Sequence, residues 1–235
     1  MNNWKAIWNK REDNFNLETQ TDDKKIFEQL LLIDGYDLEG GLPLESWLTY
    51  YEDLKNNLGL KEGDTAFEVG CGAGAHLFLL ERAGIKVGGL DYSEKLLSIL
   101  KKVLPENKLL ECICDEAKNL PTEIKYDAVF STSVFIYFED LNYAKIVMEK
   151  ILSKAKRSIG ILDVYDADLK EECLAYRRKT IPNYDERYKN LDKLFIPKKF
   201  FEDFATEHNL KIYFKKNELQ NYGNAPFSYH VYFEI

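Results

Sequence analysis

Three glycines alternating at the end of an apolar run constrain this chain more than any other feature. The stretch Phe67-Glu68-Val69-Gly70-Cys71-Gly72-Ala73-Gly74-Ala75-His76 reads as a strand that stops, a loop almost without side chains, and a helix that starts. Glycines adopt φ > 0 and let the backbone come close to a ligand. The helix N-terminus behind them offers free N–H groups and the positive end of a dipole to an anionic group. The next apolar run ends in Leu90-Asp91-Tyr92-Ser93, and Asp91 follows Gly70 by 21 residues. At that spacing a carboxylate can accept both hydroxyls of an adenosine ribose. A helix N-cap is the other role open to Asp91, but Ser93, followed by Glu94, fills it instead.

The pattern around the loop sets the fold class. Short apolar runs at 65–69, 86–90, 109–114, 128–131 and 158–162 alternate with helical patterns at 75–83, 93–103 and 141–153. Strands alternating with helices imply parallel pairing and right-handed crossovers, hence a doubly wound α/β sheet. Two closing runs, 210–214 and 229–233, make it a mostly parallel sheet of seven strands. Turn chemistry around Asn221-Tyr222-Gly223-Asn224-Ala225-Pro226 lies between them.

Residues 1–60 show helical spacing in Trp4, Ile7 and Trp8, then Ile26, Leu30 and Ile33, then Leu48, Tyr51 and Leu54. Breaks fall at Asp34-Gly35 and Gly40-Gly41, with Pro43 just after. We read this segment as an N-terminal helical cap on a domain over 61–235. A polar, Tyr-rich helical insert follows the fifth strand, at about 165–195, and a further helix follows Pro197.

The glycine pattern alone does not name its ligand, because Gly70-x-Gly72-x-x-Ala75 also fits the dinucleotide fingerprint. Two features argue against a dinucleotide. Glu68 stands just before the glycines, where a carboxylate suits an ammonium group and opposes a pyrophosphate. No Tyr-x-x-x-Lys and no clear hydride-transfer constellation follows the loop.

At this point the chain resembles the class I S-adenosylmethionine-dependent methyltransferases, of bacterial small-molecule type. The resemblance rests on 68–74, on Asp91-Tyr92-Ser93, on Glu116-Ala117-Lys118-Asn119-Leu120-Pro121 and on Tyr126-Asp127-Ala128-Val129-Phe130-Ser131, in that order. It covers about 65–163. It implies that Gly70, Gly72 and Gly74 pass under the methionine part of S-adenosylmethionine, and that Glu68 supports the loop or reaches the ammonium. It places Asp91 on the ribose, Tyr92 on the adenine face and Ser131 near the sulfonium. The family usually has Asp before Ala in the third motif. Here Glu116 holds that position, beside Ala117, and Asp115 precedes it, so either carboxylate is open as the adenine contact.

Composition bounds the partners. A net charge of −8 disfavours non-specific binding to nucleic acid or an anionic membrane. Four cysteines without a metal-like spacing read as reduced thiols, and no metal-ligand cluster stands out. The start, Met1-Asn2-Asn3-Trp4, does not read as a signal peptide, and no apolar run approaches membrane length, so a cytoplasmic protein is expected.

The acceptor side is open to several residues. Asp163 ends the fifth strand, where doubly wound sheets bind ligands, and is a candidate base or a turn cap. His230 on the last strand is a second candidate base. Tyr137 after the fourth strand, Arg177 and Arg178 in the insert, and Tyr222 in the last turn are candidate acceptor contacts. Trp47 is either a lid over the cofactor or core, and the face of Trp4, Ile7 and Trp8 reads as core. Methyl transfer to a small polar metabolite is the expectation, at oxygen, with a sugar or phosphorylated compound as the type. Methyl transfer to nitrogen of a small molecule or protein, a nucleic-acid methyltransferase, an NAD-dependent dehydrogenase or epimerase, and a non-catalytic binding module are the rivals.

Overall fold

The computed structural model describes residues 4–12, 16–36 and 43–235. The Gly40-Gly41 break lies outside these residues. In chain order the elements are α1 (Trp4–Trp8), α2 (Asp23–Ile33), α3 (Leu44–Asn57), β1 (Thr65–Val69), α4 (Ala75–Arg82), β2 (Lys86–Asp91), α5 (Glu94–Val103) and β3 (Leu109–Cys114). Then come β4 (Tyr126–Thr132), α6 (Leu141–Lys154), β5 (Ala155–Tyr165), α7 (Lys170–Thr180), α8 (Tyr184–Arg187), α9 (Lys198–His208), β6 (Lys211–Lys216) and β7 (Ser228–Glu234).

The strands form one sheet of seven in the order β3-β2-β1-β4-β5-β7-β6. The first five are parallel, and β7 runs antiparallel to both β5 and β6. Strand order reverses between β1 and β4, so the carboxyl ends of these two strands open a crevice, the place where such sheets hold ligands. Side chains alternate across the sheet. Ala66, Ala128 and Phe130 join a core with α2, α3, α4 and α5, while Phe67, Val69 and Val129 join a second core with α6 and α9. Both faces are therefore covered, which explains why the central strands read as continuous apolar runs.

Local chemistry fixes the helix starts. Ser93 Oγ accepts from the Leu96 N–H at 3.3 Å and caps α5. Asp22 caps α2 through the N–H groups of Lys24 and Lys25, and Asp140 caps α6 through that of Tyr143. These caps satisfy donors that the first helical turn cannot pair.

Two elements differ from the sequence expectation in ways that matter to the site. Strand β5 runs on to Tyr165 through an irregularity against β7 between Ile161 and Val164. Asp163 sits in that bulge with φ 55° and is buried, so it lies inside the strand rather than at its end. The insert folds as a 3-10 turn at Ala167–Leu169, α7 and the four-residue α8, followed by extended chain that returns to the sheet by bonding Ile196 N–H to Tyr165 O at 2.8 Å.

Candidate active site

A cavity of about 1110 Å³ occupies the crevice, roofed by α1, the end of α2 and the insert. One end is acidic. Glu68, Asp91 and Asp34 all reach its wall, with Gly70 and Gly72 between them. Asp91 comes from the end of β2, and its Oδ2 accepts from Gly72 N–H at 3.0 Å while Oδ1 accepts from Ser93 N–H at 2.7 Å. Burial raises its pKa to about 6, against the pull of those N–H groups. Glu68 Oε1 lies 3.1 Å from His76 Nδ1, and Glu68 Oε2 is buried with no hydrogen-bond partner among the described residues. A buried carboxylate oxygen without a donor is costly, so Oε2 is open to a donor from the cavity.

Asp34 caps the C-terminus of α2, yet its Oδ1 accepts from Ala73 N–H at 2.7 Å. Burial, with Glu68 and Asp91 nearby, raises its pKa well above the ordinary carboxylate value. The cap is thereby fastened to the glycine loop by a third carboxylate. A Cβ on Gly72 would collide with Asp34 Oδ1, and Gly72 has φ 54°, so glycine is required there by space and by backbone. The sequence showed Asp34-Gly35 only as a break.

Tyr92, Glu116 and Ala117, expected around the adenine, also line the cavity. Asp115 is exposed and accepts from Glu116 N–H and Asn119 Nδ2 in a turn of its own. Of the two carboxylates left open by the sequence, Glu116 is the one on the cavity wall.

The other half of the cavity is walled by Trp4, Trp8, Tyr36, Tyr137, Tyr222 and Arg177. Behind this wall a hydrogen-bond network converges on Asp163. Its Oδ2 accepts from Ser133 Oγ at 2.7 Å and Tyr222 Oη at 2.8 Å, and Oδ1 accepts from Asn217 Nδ2 at 3.1 Å. Tyr36 Oη donates to Ser133 Oγ at 3.0 Å. Burial and the charge on Asp163 raise the pKa of Tyr36 and Tyr222 well above 10, so both phenols hold their protons. Ser133 and Tyr36 were not singled out in the sequence; the only signal was the position of Ser133 just past the fourth strand.

Several expected contacts fall elsewhere. Asp163 and His230 meet, as Asp163 N–H donates to His230 Nδ1 at 3.0 Å, but neither lines the cavity. Burial lowers the His230 pKa to about 4, so its ring is neutral, and Nδ1 is already used by the backbone. Ser131 is fully buried and donates to Val69 O at 2.8 Å, because β4 runs one residue further and delivers Thr132 and Ser133 to the cavity instead. Gly74 faces Leu100 rather than the cavity. Trp47 is buried behind the wall, with its ring 4.3 Å from Tyr36 and 6.3 Å from Tyr222. Arg178 is exposed and bonded to Asp185 at 3.0 Å. Trp4 is buried and Trp8 packs half-buried against the core, as read from the sequence, and both also hold Tyr137 edge-on, at 4.8 and 5.7 Å, on the cavity wall.

A seven-stranded sheet, parallel but for one reversed strand and covered by helices on both faces, is the Rossmann-like fold of methyltransferases. Residues 67–157 match the family model described as a methyltransferase domain. Comparison with curated protein sequences finds no match. Among solved structures, the chain is similar to magnesium protoporphyrin IX methyltransferase from Synechocystis PCC 6803 with bound SAM. The identity is 17%, over 92% of this chain and 98% of that one, with a TM-score of 0.59. It is similar to the plantazolicin methyltransferase BpumL in complex with a pentazolic desmethylPZN analog and SAH, at 14% identity over 100% and 99% of the two chains, TM-score 0.57. It is also similar to the glycopeptide N-methyltransferase MtfA complexed with sinefungin, at 10% identity over 80% and 85%, TM-score 0.57. These likenesses are likenesses of fold. The chain thus carries a methyltransferase domain at residues 67–157, on the fold that S-adenosylmethionine-dependent methyltransferases share.

Proposed function

We propose that this enzyme methylates an oxygen atom of a small polar molecule, held in the cavity between the N-terminal helices and the insert. The Asp163 network is the observation that carries this reading. Neutral amines need no base on arrival, whereas a hydroxyl must lose its proton as the new bond forms.

The cofactor end fits its group. Glu68 Oε2 awaits a donor, Asp91 stands at the end of β2 for the ribose, and Gly72 leaves room for close approach. Glu116 and Tyr92 flank the adenine position. When bound, the cofactor supplies an electrophilic methyl carbon on a thioether leaving group. The rest is done by the chain. Tyr36, Ser133 and Tyr222 face the acceptor, and Tyr222 already donates to Asp163. As an acceptor hydroxyl gives its proton to Tyr222 Oη, Tyr222 passes its own proton to Asp163 Oδ2. Trp4, Trp8 and Tyr137 exclude water from that end, which strengthens each of these polar contacts.

Methyl label moved from S-adenosylmethionine into a small-molecule extract, with the product's methyl position read by NMR, tests the reading. Tyr222→Phe and Asp163→Asn should each lower kcat by about 10²- to 10⁴-fold, the usual range for general base catalysis. Affinity for S-adenosylhomocysteine should stay within about twofold of wild type. A methyl group found on nitrogen, or wild-type kcat in both variants, sinks it. Four thiols, none bonded to another, support the reducing cytoplasm as its place.

A further inference from the structure

The acidic end of the cavity has a cationic counterpart. Arg177 on α7 and Lys193 in the extended chain after α8 both line the cavity, away from the glycine loop. Arg177 is 8% exposed. Its Nη1 donates to Tyr165 Oη at 2.9 Å and to Asn224 Oδ1, while its Nε is buried without a partner among the described residues. Lys193 Nζ reaches the same Tyr165 Oη at 3.3 Å. Its ammonium also lies 5.1 Å from the ring centres of Tyr137 and Tyr165 and 5.6 Å from that of Trp4. Among the described residues, no carboxylate is bonded to either cation.

Two cations meeting on one neutral phenol is an unfavourable arrangement unless something anionic joins them. The neighbouring Arg178 shows the alternative, since it turns outward to Asp185. Burial and the charge of Arg177 push the Lys193 pKa down to about 7, opposed by Asp163 and Cys173. We infer that Arg177 and Lys193 form an oxyanion subsite that holds a carboxylate or phosphate group of the methyl acceptor, with a flat body lying against Trp4 and Tyr137. This rests on reading the aromatic half of the cavity as the acceptor site. The guanidinium offers its free Nε to such a group, and the ammonium adds a second donor. The anion is an anchor: Arg177 reaches the turn of Tyr222 through Asn224, so the anchored molecule presents a second oxygen to Tyr222 beside it.

Lys193 also makes the subsite sensitive to pH. The groups facing it are Arg177 and Cys173 on α7, Asp163 and Tyr165 on β5, Tyr137 after β4 and Trp4 on α1. Below pH 7 both cations are charged, and above it Lys193 gives up its proton unless an anion holds it.

The test is calorimetric titration of the protein, first with S-adenosylhomocysteine and then with three probes: 4-hydroxybenzoate, phenyl phosphate and the uncharged 4-hydroxybenzamide. At pH 6.5 at least one anionic probe should bind tenfold or more tightly than the amide, and whichever it is tells carboxylate from phosphate. At pH 8.5 that preference should shrink at least threefold. Arg177→Gln should reduce it below about twofold without changing S-adenosylhomocysteine affinity. Lys193→Met is the second variant, should Arg177→Gln fail to fold, and should abolish the pH dependence. Equal binding of charged and neutral probes, or no probe binding beside normal S-adenosylhomocysteine binding, overturns the subsite alone. Failure to bind S-adenosylhomocysteine overturns the reading of the cavity beneath it.

Discussion

Asp91 accepts two backbone N–H groups in the free protein and still has a pKa of about 6, because burial outweighs them. The sign follows from the raised value. The folded protein holds this proton more tightly than the unfolded chain, whose ordinary value is 3.8, so the group costs stability as pH rises between the two. With Asp91 holding the ribose as proposed, ligand binding runs the other way, since the hydroxyls need the ionised carboxylate. S-adenosylhomocysteine should bind about tenfold more weakly at pH 5 than at pH 7, one unit below the pKa. Calorimetry across that range checks it, and Asp91→Asn should bind weakly with no such slope. Gly72→Val should abolish binding while circular dichroism stays near wild type, because its Cβ collides with Asp34 and the backbone there disfavours β-branched residues. That both residues line the cavity was legible in the sequence, since strand, loop and spacing are local signals. Neighbouring choices were not. Arg177 and Arg178 are alike in type and adjacent, and only the helix turn, which swings consecutive residues to different directions, puts one inside and one outside. Asp115 and Glu116 divide in the same way at a turn.

At the scale of elements, the parallel core followed from alternating periodicities, and β1 and β3 begin and end where the apolar runs do. The bulge in β5 had no local signature, because it exists through pairing with β7, a strand distant in sequence. It turns Asp163 out of register and into the network with Ser133 and Tyr222, which explains why a residue expected to face the ligand works from behind the wall. Asp34 was hidden for the same reason. Its role appears only once α2 docks on the glycine loop, bringing its carboxylate to the N–H groups of Ala73 and Ala75. Removing it with Asp34→Ala should leave these two amides without an acceptor, at about 1–3 kcal/mol. Hydrogen exchange at Ala73 and Ala75 should then quicken by about tenfold or more in the free protein. Unchanged exchange at both would show that the contact does not fasten the cap.

Across the whole molecule the cavity is assembled from parts far apart in the chain: α1 and the end of α2, the crevice between β1 and β4, the insert, and the turn at Tyr222. Its wall carries the carboxylates Glu68, Asp91 and Asp34 as well as Arg177 and Lys193, so a ligand pair held as proposed would bridge the N-terminal helices to the sheet. The packing beneath is shared as well. Ile26, Leu30, Trp47 and Leu54 of the N-terminal helices lie in one apolar cluster with Leu77, Leu80 and Phe130 of the sheet domain. We therefore expect the 1–60 segment to melt with the domain it covers, in a single calorimetric transition. Adding S-adenosylhomocysteine at a hundred times its Kd stabilises a folded protein by about 2.7 kcal/mol. For a chain of 235 residues each kcal/mol moves the midpoint by about 2–4 °C, so Tm should rise by about 5–10 °C. The whole transition should move together, and in Asp91→Ala the shift at the same ligand concentration should nearly vanish. Two separate transitions, with only the upper one moved by ligand, would mean that the cap is an independent unit and that the cofactor does not hold it to the sheet.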